Sequence, residues 1–248
     1  MMWRRLIRAE IRKLTTTRMP WGFFAVLVAI GGINAALVMF ATEADGSKAF
    51  IATAEDQQSL VAFAANAFII AGLFGTIAVA SEYGHGTVVP MFLASPRRHQ
   101  AMLAQFTAVF VGGGVLSAIG AGLLIATVAA ALPTTEYGFL MSAGDVTRVV
   151  AGSTITGALG AVFGAGVGAM LRSTGGAAVA TILILVVAPP LIAQAATGTG
   201  DWMPGTIANV LVGVGDDVSL LAAIAALFAW ASVPAALGLF SVQRRDVV

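Results

Sequence analysis

Six long apolar stretches constrain the fold of this 248-residue chain more than any other feature. They lie at about residues 20–41, 59–80, 101–132, 146–170, 177–196 and 220–240. A helix rises about 1.5 Å per residue, so about 20 residues cross a hydrocarbon core roughly 30 Å thick, and every stretch reaches that length. The stretches are continuously apolar and lack the period-two alternation of barrel strands. The sequence therefore predicts an all-α integral membrane protein with six transmembrane helices in a single domain, residues 1–248.

The composition agrees with this fold class and excludes several function classes. Only 10% of the residues are charged and 58% are hydrophobic, whereas a soluble domain carries about 25% charged residues. These values exclude an ordinary soluble enzyme, a nucleic-acid-binding protein and a disordered scaffold. There is no cysteine, and the two histidines, His85 and His99, form no HExxH motif, so we expect no metal site. The sequence has no GxxxxGK[ST] loop, so any ATP that powers the protein must bind to another subunit.

Basic residues concentrate on one side of the six-span arrangement. Six precede the first span, two lie between the second and third, one lies between the fourth and fifth, and two follow the sixth. Only Lys48 and Arg148 fall on the other side. The positive-inside rule predicts that the basic side, with both termini, is cytoplasmic. The alanine- and glycine-rich composition is typical of GC-rich bacterial genomes and favours a bacterial cell membrane.

Residues 1–18 predict an amphipathic helix that lies in the membrane interface. At 100° per residue, one face is apolar and the other basic; the apolar face carries Trp3, Leu6, Ile7, Ile11 and Leu14, and the basic face Arg5, Arg8 and Arg12. The basic face would contact anionic lipid. The helix is either an anchor alone or also a contact for a cytoplasmic partner. Glu10 favours the partner, because an acid on the apolar face is costly against lipid and tolerable against a protein cation.

The cytoplasmic loop between the second and third spans combines helix breakers with apolar residues. Gly84 and Gly86 are predicted to break the helix directly after the membrane. A short apolar run follows, in which Pro90 suits the first turn of a short helix. Ser95-Pro96 would end that helix. The apolar side chains of residues 91–93 must either fold back onto lipid or contact a partner surface.

The predicted spans carry no Asp, Glu, Lys or Arg near their middles, which argues against a proton- or sodium-coupled carrier. Four amides remain, Asn34, Asn66, Gln105 and Gln194. They would form interhelical hydrogen bonds, or alternatively Asn34, Asn66 and Gln105 would line a translocation path.

Two further segments carry packing predictions. Gly160, Gly164 and Gly168 share one face of the fourth span and predict close packing against another helix. The outer segment 197–219 has an apolar centre, residues 206–214, that is too short to cross. It predicts a re-entrant or interfacial hairpin between the fifth and sixth spans.

With these features together, the chain resembles the integral-membrane permease subunits of ABC transporters of the type-2 (export) family. Residues 9–14 resemble the amphipathic helix that precedes the first span in that family. Residues 82–87 followed by 95–98 resemble its cytoplasmic loop between spans two and three. The six spans with an outer hairpin resemble the whole architecture, so the resemblance covers essentially the full chain.

The resemblance implies a dimer of two permeases, identical or related, bound to two copies of a separate ATP-binding subunit that holds ATP and Mg. The short helix after Gly86 would be a cytoplasmic coupling helix seated in a groove of that subunit. Glu82 would pair with Lys13 or Arg12. The residues implied in coupling are Glu10, Lys13, Glu82, Gly84, Gly86, Thr87, Pro90, Met91, Phe92, Leu93, Ser95, Pro96, Arg97 and Arg98.

The expected function is therefore export of a hydrophobic or amphipathic substrate, such as a lipid, a drug or a peptide antibiotic, without an ATP site or a cofactor in this chain. A stand-alone secondary carrier or channel is the alternative. An intramembrane enzyme is disfavoured, because Ser153 has no histidine in any span to activate it. The composition also permits a non-transporting membrane assembly factor.

Overall fold

The computed structural model describes residues 2–44, 46–88, 90, 98–215 and 218–244, and these residues form helices and connections without a strand. The helices are α1 (Met2–Thr16), α2 (Met19–Phe40), α3 (Ala54–Ala65), α4 (Ala67–Gly84), α5 (Arg98–Ala131), α6 (Ala143–Leu171), α7 (Thr174–Ile182), α8 (Ala188–Ala195), α9 (Pro204–Val212) and α10 (Leu220–Arg244). A π-helical segment, Leu183–Val187, joins α7 to α8.

Six helical runs are long and apolar enough to cross a membrane, which fits a multi-pass membrane protein. They are Met19–Phe40, Ala54–Gly84, His99–Thr134, Ala143–Leu171, Thr174–Ala195 and Leu220–Arg244. The six predicted apolar helical runs are thus confirmed, with ends that shift by about five residues at most. α5 has 34 residues, or about 51 Å, and therefore exceeds the thickness of a hydrocarbon core.

Alternating spans give the bundle two ends. We call the end that carries α1, the connection after α4 and the close of α10 the near end, and the opposite end the far end. Contacts agree with this division: α1 packs along the first part of α5, and α9 packs against the first part of α6.

α6 is the central helix, and its glycines bring neighbouring backbones into direct contact. A Cβ atom on Gly160 would lie 2.6 Å from the Phe68 carbonyl oxygen of α4, and one on Gly168 would lie 2.8 Å from the Thr76 oxygen. A Cβ on Gly164 would overlap the carbonyl oxygen of Gly72. The glycine face predicted from the sequence therefore lies where α6 crosses α4. On another face of α6, Gly166 lies against the backbone of α10 around its internal proline.

The second span differs from its prediction, because it begins earlier and is interrupted. α3 starts after Thr53, whose hydroxyl accepts a hydrogen bond from the Asp56 amide while the Asp56 carboxylate accepts one from the Thr53 amide. At Asn66 the backbone leaves the helical region, with φ 4° and ψ 48°, and α4 begins at the next residue. The side chain of asparagine competes with helical hydrogen bonds, so this residue interrupts a helix more readily than its apolar neighbours do.

The two basic residues that depart from the charge asymmetry both bind helix ends at the far end. The Lys48 ammonium donates to the carbonyl oxygens of Val38 and Met39, at 2.7 and 2.6 Å, in the last turn of α2. Arg148 donates to the Val210 oxygen in the last turn of α9, at 3.2 Å. Since the C-terminus of a helix is electronegative, each cation stabilises a far-end helix terminus.

Candidate functional site

At the near end, one lysine joins α1 to the end of α4. The Lys13 ammonium lies 2.7 Å from a Glu10 carboxylate oxygen, one turn earlier in α1, and 2.5 Å from a Glu82 oxygen in α4. The resemblance implied that Glu82 pairs with Lys13 or Arg12; the structure shows the pairing with Lys13, and Arg12 is exposed to solvent. We call Glu10, Lys13 and Glu82 the near-end triad.

The two acids of the triad are largely removed from solvent, whereas the lysine keeps part of its side chain exposed. Glu10 is 8% exposed, and the side chains of Glu82 and Lys13 are 13% and 43% exposed. Burial raises the pKa of Glu10, and the hydrogen bond from Lys13 opposes this rise only in part. Burial lowers the pKa of Lys13, but the hydrogen bonds and charges of Glu10 and Glu82 outweigh burial and leave the pKa raised. Lysine therefore stays charged while two acids compete for it.

The environment of Glu10 removes the reason for expecting that a cation of a partner protein contacts this residue. The cation that compensates the Glu10 carboxylate is Lys13 of the same helix, and the side chain is buried inside the chain. Glu10 is thus a contact between α1 and the bundle and is not exposed for docking. Its charge can be tolerated on the apolar face without a second protein.

A small cavity of about 20 Å³ adjoins the triad and has room for one water molecule. Gln105 of α5 lines it together with all three charged residues. Among the described residues, the second carboxylate oxygen of Glu82 is buried and accepts no hydrogen bond. The site therefore combines two acids, one ammonium and one amide. Such a set can hold helices together and exchange a proton.

A second cation contacts the residue that follows Glu82. The Arg172 guanidinium carbon lies 5.4 Å from the centre of the Tyr83 ring, and the same side chain donates to the Ser241 carbonyl oxygen at 3.2 Å. Arg172 caps α6 in the left-handed conformation, with φ 53°. Glu82 and Tyr83 thus connect the end of α4 to α1, α6 and α10.

At the end of α4, only one of the two glycines that were predicted to break the helix does so. Gly84 remains in the helix, and Gly86 alone has a left-handed backbone, with φ 68°, as a helix-ending glycine requires. The backbone amide of His85 donates to the Ser81 carbonyl oxygen at 2.9 Å, and the Thr87 hydroxyl donates to the backbone carbonyl oxygen of Glu82 at 3.3 Å. The chain therefore turns within two residues of the last helical residue.

The predicted coupling segment is described only at its edges. Val88 and Pro90 have helical backbone, with Val88 2% exposed and Pro90 exposed. The remaining residues of this prediction, Met91, Phe92, Leu93, Ser95, Pro96 and Arg97, lie outside the described residues, and so does the side chain of Arg98. Their part in coupling stays a prediction.

The three amides predicted for a translocation path lie in three separate places. The Asn34 side chain is buried and donates to the Ile30 oxygen of its own helix at 3.1 Å. Gln105 belongs to the triad cavity, and Asn66 lines a larger cavity at the far end. Within one chain, these side chains therefore form no single path.

Sequence reasoning missed the roles of Arg172 and Asn66. Arg172 is an isolated cation between two spans, so only its side of the membrane could be inferred. Asn66 interrupts a run of apolar residues, and that interruption was the one local signal of a helix break.

The chain shows no match among protein-family models, and no curated protein matches its sequence. In the described residues, no group of three or more His, Cys, Asp and Glu side chains is placed to hold a metal ion.

Proposed function

We propose that this chain is the membrane-spanning permease subunit of an ATP-driven exporter of the ABC type-2 class. Two such subunits, identical or related, would bind two copies of a separate ATP-binding subunit. The substrate would be hydrophobic or amphipathic, in the class of lipids, drugs or peptide antibiotics. The proposal places the near end in the cytoplasm of a bacterial cell.

The observation that carries the proposal is the attachment of Glu82 and Tyr83 to three other helices. These residues immediately precede the loop that would bind the ATP-binding subunit. Lys13 ties the end of α4 to α1, and Arg172 ties it to the ends of α6 and α10. A displacement of the loop would therefore move several spans together, as coupling between ATP hydrolysis and transport requires.

Two other elements support the proposal through their chemistry. α1 exposes Arg5, Arg8 and Arg12 on one face, which suits an interfacial helix beside anionic lipid. α9 has nine residues and buries Ile207 and Val210, so it is too short to cross and suits a re-entrant outer hairpin.

Purification of the complex tests the proposal directly. The full chain, tagged at its C-terminus, is extracted from its native membranes in mild detergent, and the co-purifying proteins are identified. We expect a stoichiometric subunit with a phosphate-binding loop and ATPase activity. Changing residues 91–93 to acidic residues should release that subunit, because it removes the apolar contact proposed for the coupling helix.

Variants at the triad separate coupling from assembly. Glu82→Lys should retain expression and the ATP-binding subunit but should uncouple ATP hydrolysis from export. Glu55→Lys is the matched control, since Glu55 is exposed at the far end and lies outside the triad. A chain that purifies alone and transports without ATP would contradict the proposal and favour a stand-alone carrier. Unimpaired export by Glu82→Lys would contradict the role given to the triad.

A further inference from the structure

A cavity of about 190 Å³ lies at the far end, where the break in the second span meets α6 and α9. Its lining is mostly apolar and carries four polar side chains: Asn66 at the break, Ser153 and Thr156 of α6, and Asn209 of α9. We call it the far-end cavity. It is separate from the near-end triad, which lies at the opposite end of α4.

The floor of the far-end cavity carries two hydroxyl groups whose hydrogen-bonding capacity is unused. Ser153 and Thr156 are each 1% exposed, and neither hydroxyl oxygen has a hydrogen-bond partner in the described part of the chain. A serine or threonine hydroxyl within a helix commonly donates to a backbone carbonyl oxygen one turn earlier, as Thr154 does to the Val150 oxygen at 2.6 Å. Leaving two buried hydroxyls unsatisfied is costly, so their orientation toward a cavity points to an occupant.

The mouth of the cavity adds two amides and the start of a helix. Asn66 and Asn209 are both exposed, so the cavity opens at the molecular surface. Asn66 immediately precedes α4, and no side chain caps the first amide groups of that helix. Broken helices at membrane depth are tolerated where they line a cavity, and they form binding sites in other membrane proteins.

The chemistry of the lining determines the class of ligand. Hydroxyls and amides both donate and accept hydrogen bonds. The cavity lining contains no charged side chain, and an ion would lose its hydration there without gaining a counter-ion. A cavity of about 150 Å³ accommodates benzene, a molecule of six heavy atoms, so about 190 Å³ suits a group of similar size.

We propose that the far-end cavity binds an uncharged polyhydroxylated group of about six heavy atoms, as in a glycerol unit. The hydroxyls of Ser153 and Thr156 would bind its inner oxygens, and the amides of Asn66 and Asn209 would bind its outer oxygens. The group could be free in water or carried on an acyl chain. The inference does not depend on an ATP-binding partner, so it and the proposed export function can fail separately.

Two probes distinguish the sources of the ligand. The purified full chain is reconstituted in phosphatidylcholine nanodiscs and titrated with glycerol or with monooleoylglycerol, while the thermal unfolding midpoint and the bound mass are followed. Methyl oleate, which has the same acyl chain and no hydroxyl group, is the ligand control. Saturable stabilisation by glycerol supports a soluble ligand, and stabilisation by monooleoylglycerol alone supports a lipid-borne ligand.

Matched variants assign the binding to the two hydroxyls. Each neutral hydrogen bond lost should weaken binding about two- to twelvefold, so Ser153→Ala with Thr156→Val should weaken it at least about fivefold. Thr154→Val is the control, because its hydroxyl already bonds within α6. If the double variant fails to fold, Ala208→Leu fills the same cavity from α9 and should also abolish binding. Absence of saturable binding by both glycerol probes, or equal binding by the parent and the double variant, overturns the proposal.

Discussion

Removing the charge of Glu82 should loosen α1 from the bundle by a measurable amount. Breaking a fully buried ion pair costs about 3–5 kcal/mol, and breaking an exposed one costs about 0–1 kcal/mol. Lys13 is 43% exposed and keeps Glu10 as a partner, which places Glu82→Gln between these limits. We expect a cost of about 1–2 kcal/mol, or a 5- to 30-fold rise in the detached population of α1.

The absence of cysteine from the sequence provides a clean assay for this detachment. Leu14 is partly buried beside Gly112 of α5, so a Leu14→Cys thiol should react with a maleimide mainly when α1 opens. In this background, Glu82→Gln should raise the labelling rate 5- to 30-fold at neutral pH. Arg12→Gln is the matched control, since it removes an exposed charge from the same helix.

A charge exchange distinguishes the ion pair from other effects of the substitution. Lys13→Glu combined with Glu82→Lys keeps two acids and one ammonium in the cluster, and should return the labelling rate to within about threefold of the parent. A rate for Glu82→Gln within twofold of the parent would refute the reasoning. So would equal increases for Glu82→Gln and the Arg12 control, because the exposed charge would then matter as much as the triad.

Three further predictions concern other parts of the structure, each measured as a thermal unfolding midpoint in one detergent. Gly164→Ala should lower the midpoint, because its Cβ would overlap the Gly72 carbonyl oxygen, whereas Gly122→Ala, with open space around its Cβ, should leave it unchanged or raise it. Lys48→Met should cost about 1–2 kcal/mol by leaving the Val38 and Met39 carbonyl oxygens without the ammonium donor, and an unchanged midpoint would contradict the capping role. Because burial raises the pKa of Glu10, the folded chain holds a proton at Glu10 up to a higher pH than the unfolded chain does; acidification from neutral pH toward the ordinary pKa of a carboxyl group should therefore stabilise the parent relative to Glu10→Gln, and parallel profiles would contradict this.

The membrane spans could be predicted because the information that specifies them is local. Each span is a continuous apolar run of sufficient length, and the bilayer allows only a few solutions for such a run. The glycine face of the fourth span was also local, since spacing alone places Gly160, Gly164 and Gly168 on one side of a helix. Which helix it would contact could not be read from spacing, because that contact joins residues nearly a hundred positions apart.

The candidate site could be predicted only in part. The resemblance paired Glu82 with Lys13 or Arg12, whereas Glu10 on its apolar face indicated a cation of a partner protein, and the structure instead supplies Lys13 to both acids. The far-end cavity could not be predicted from the sequence, because serine, threonine and asparagine are common in spans and have no distinctive spacing. The polar side chains of its lining come from α6, from α9 and from the break at Asn66, and only the packed structure brings them together.

The helix α4 connects the two ends of the molecule. It runs 18 residues, or about 27 Å, from the far-end cavity beside Asn66 to the close of the helix just after Glu82 of the triad. Between them, Gly72 and Gly75 lie in backbone contact with α6, which leaves no room for the two helices to slide independently. If the loop after α4 is driven by a partner, as proposed, α4 and α6 should move as one body. The hydroxyls of α6 and the amide at Asn66 would then shift together, and α9, bound to Arg148 of α6 through the Val210 oxygen, would follow α6.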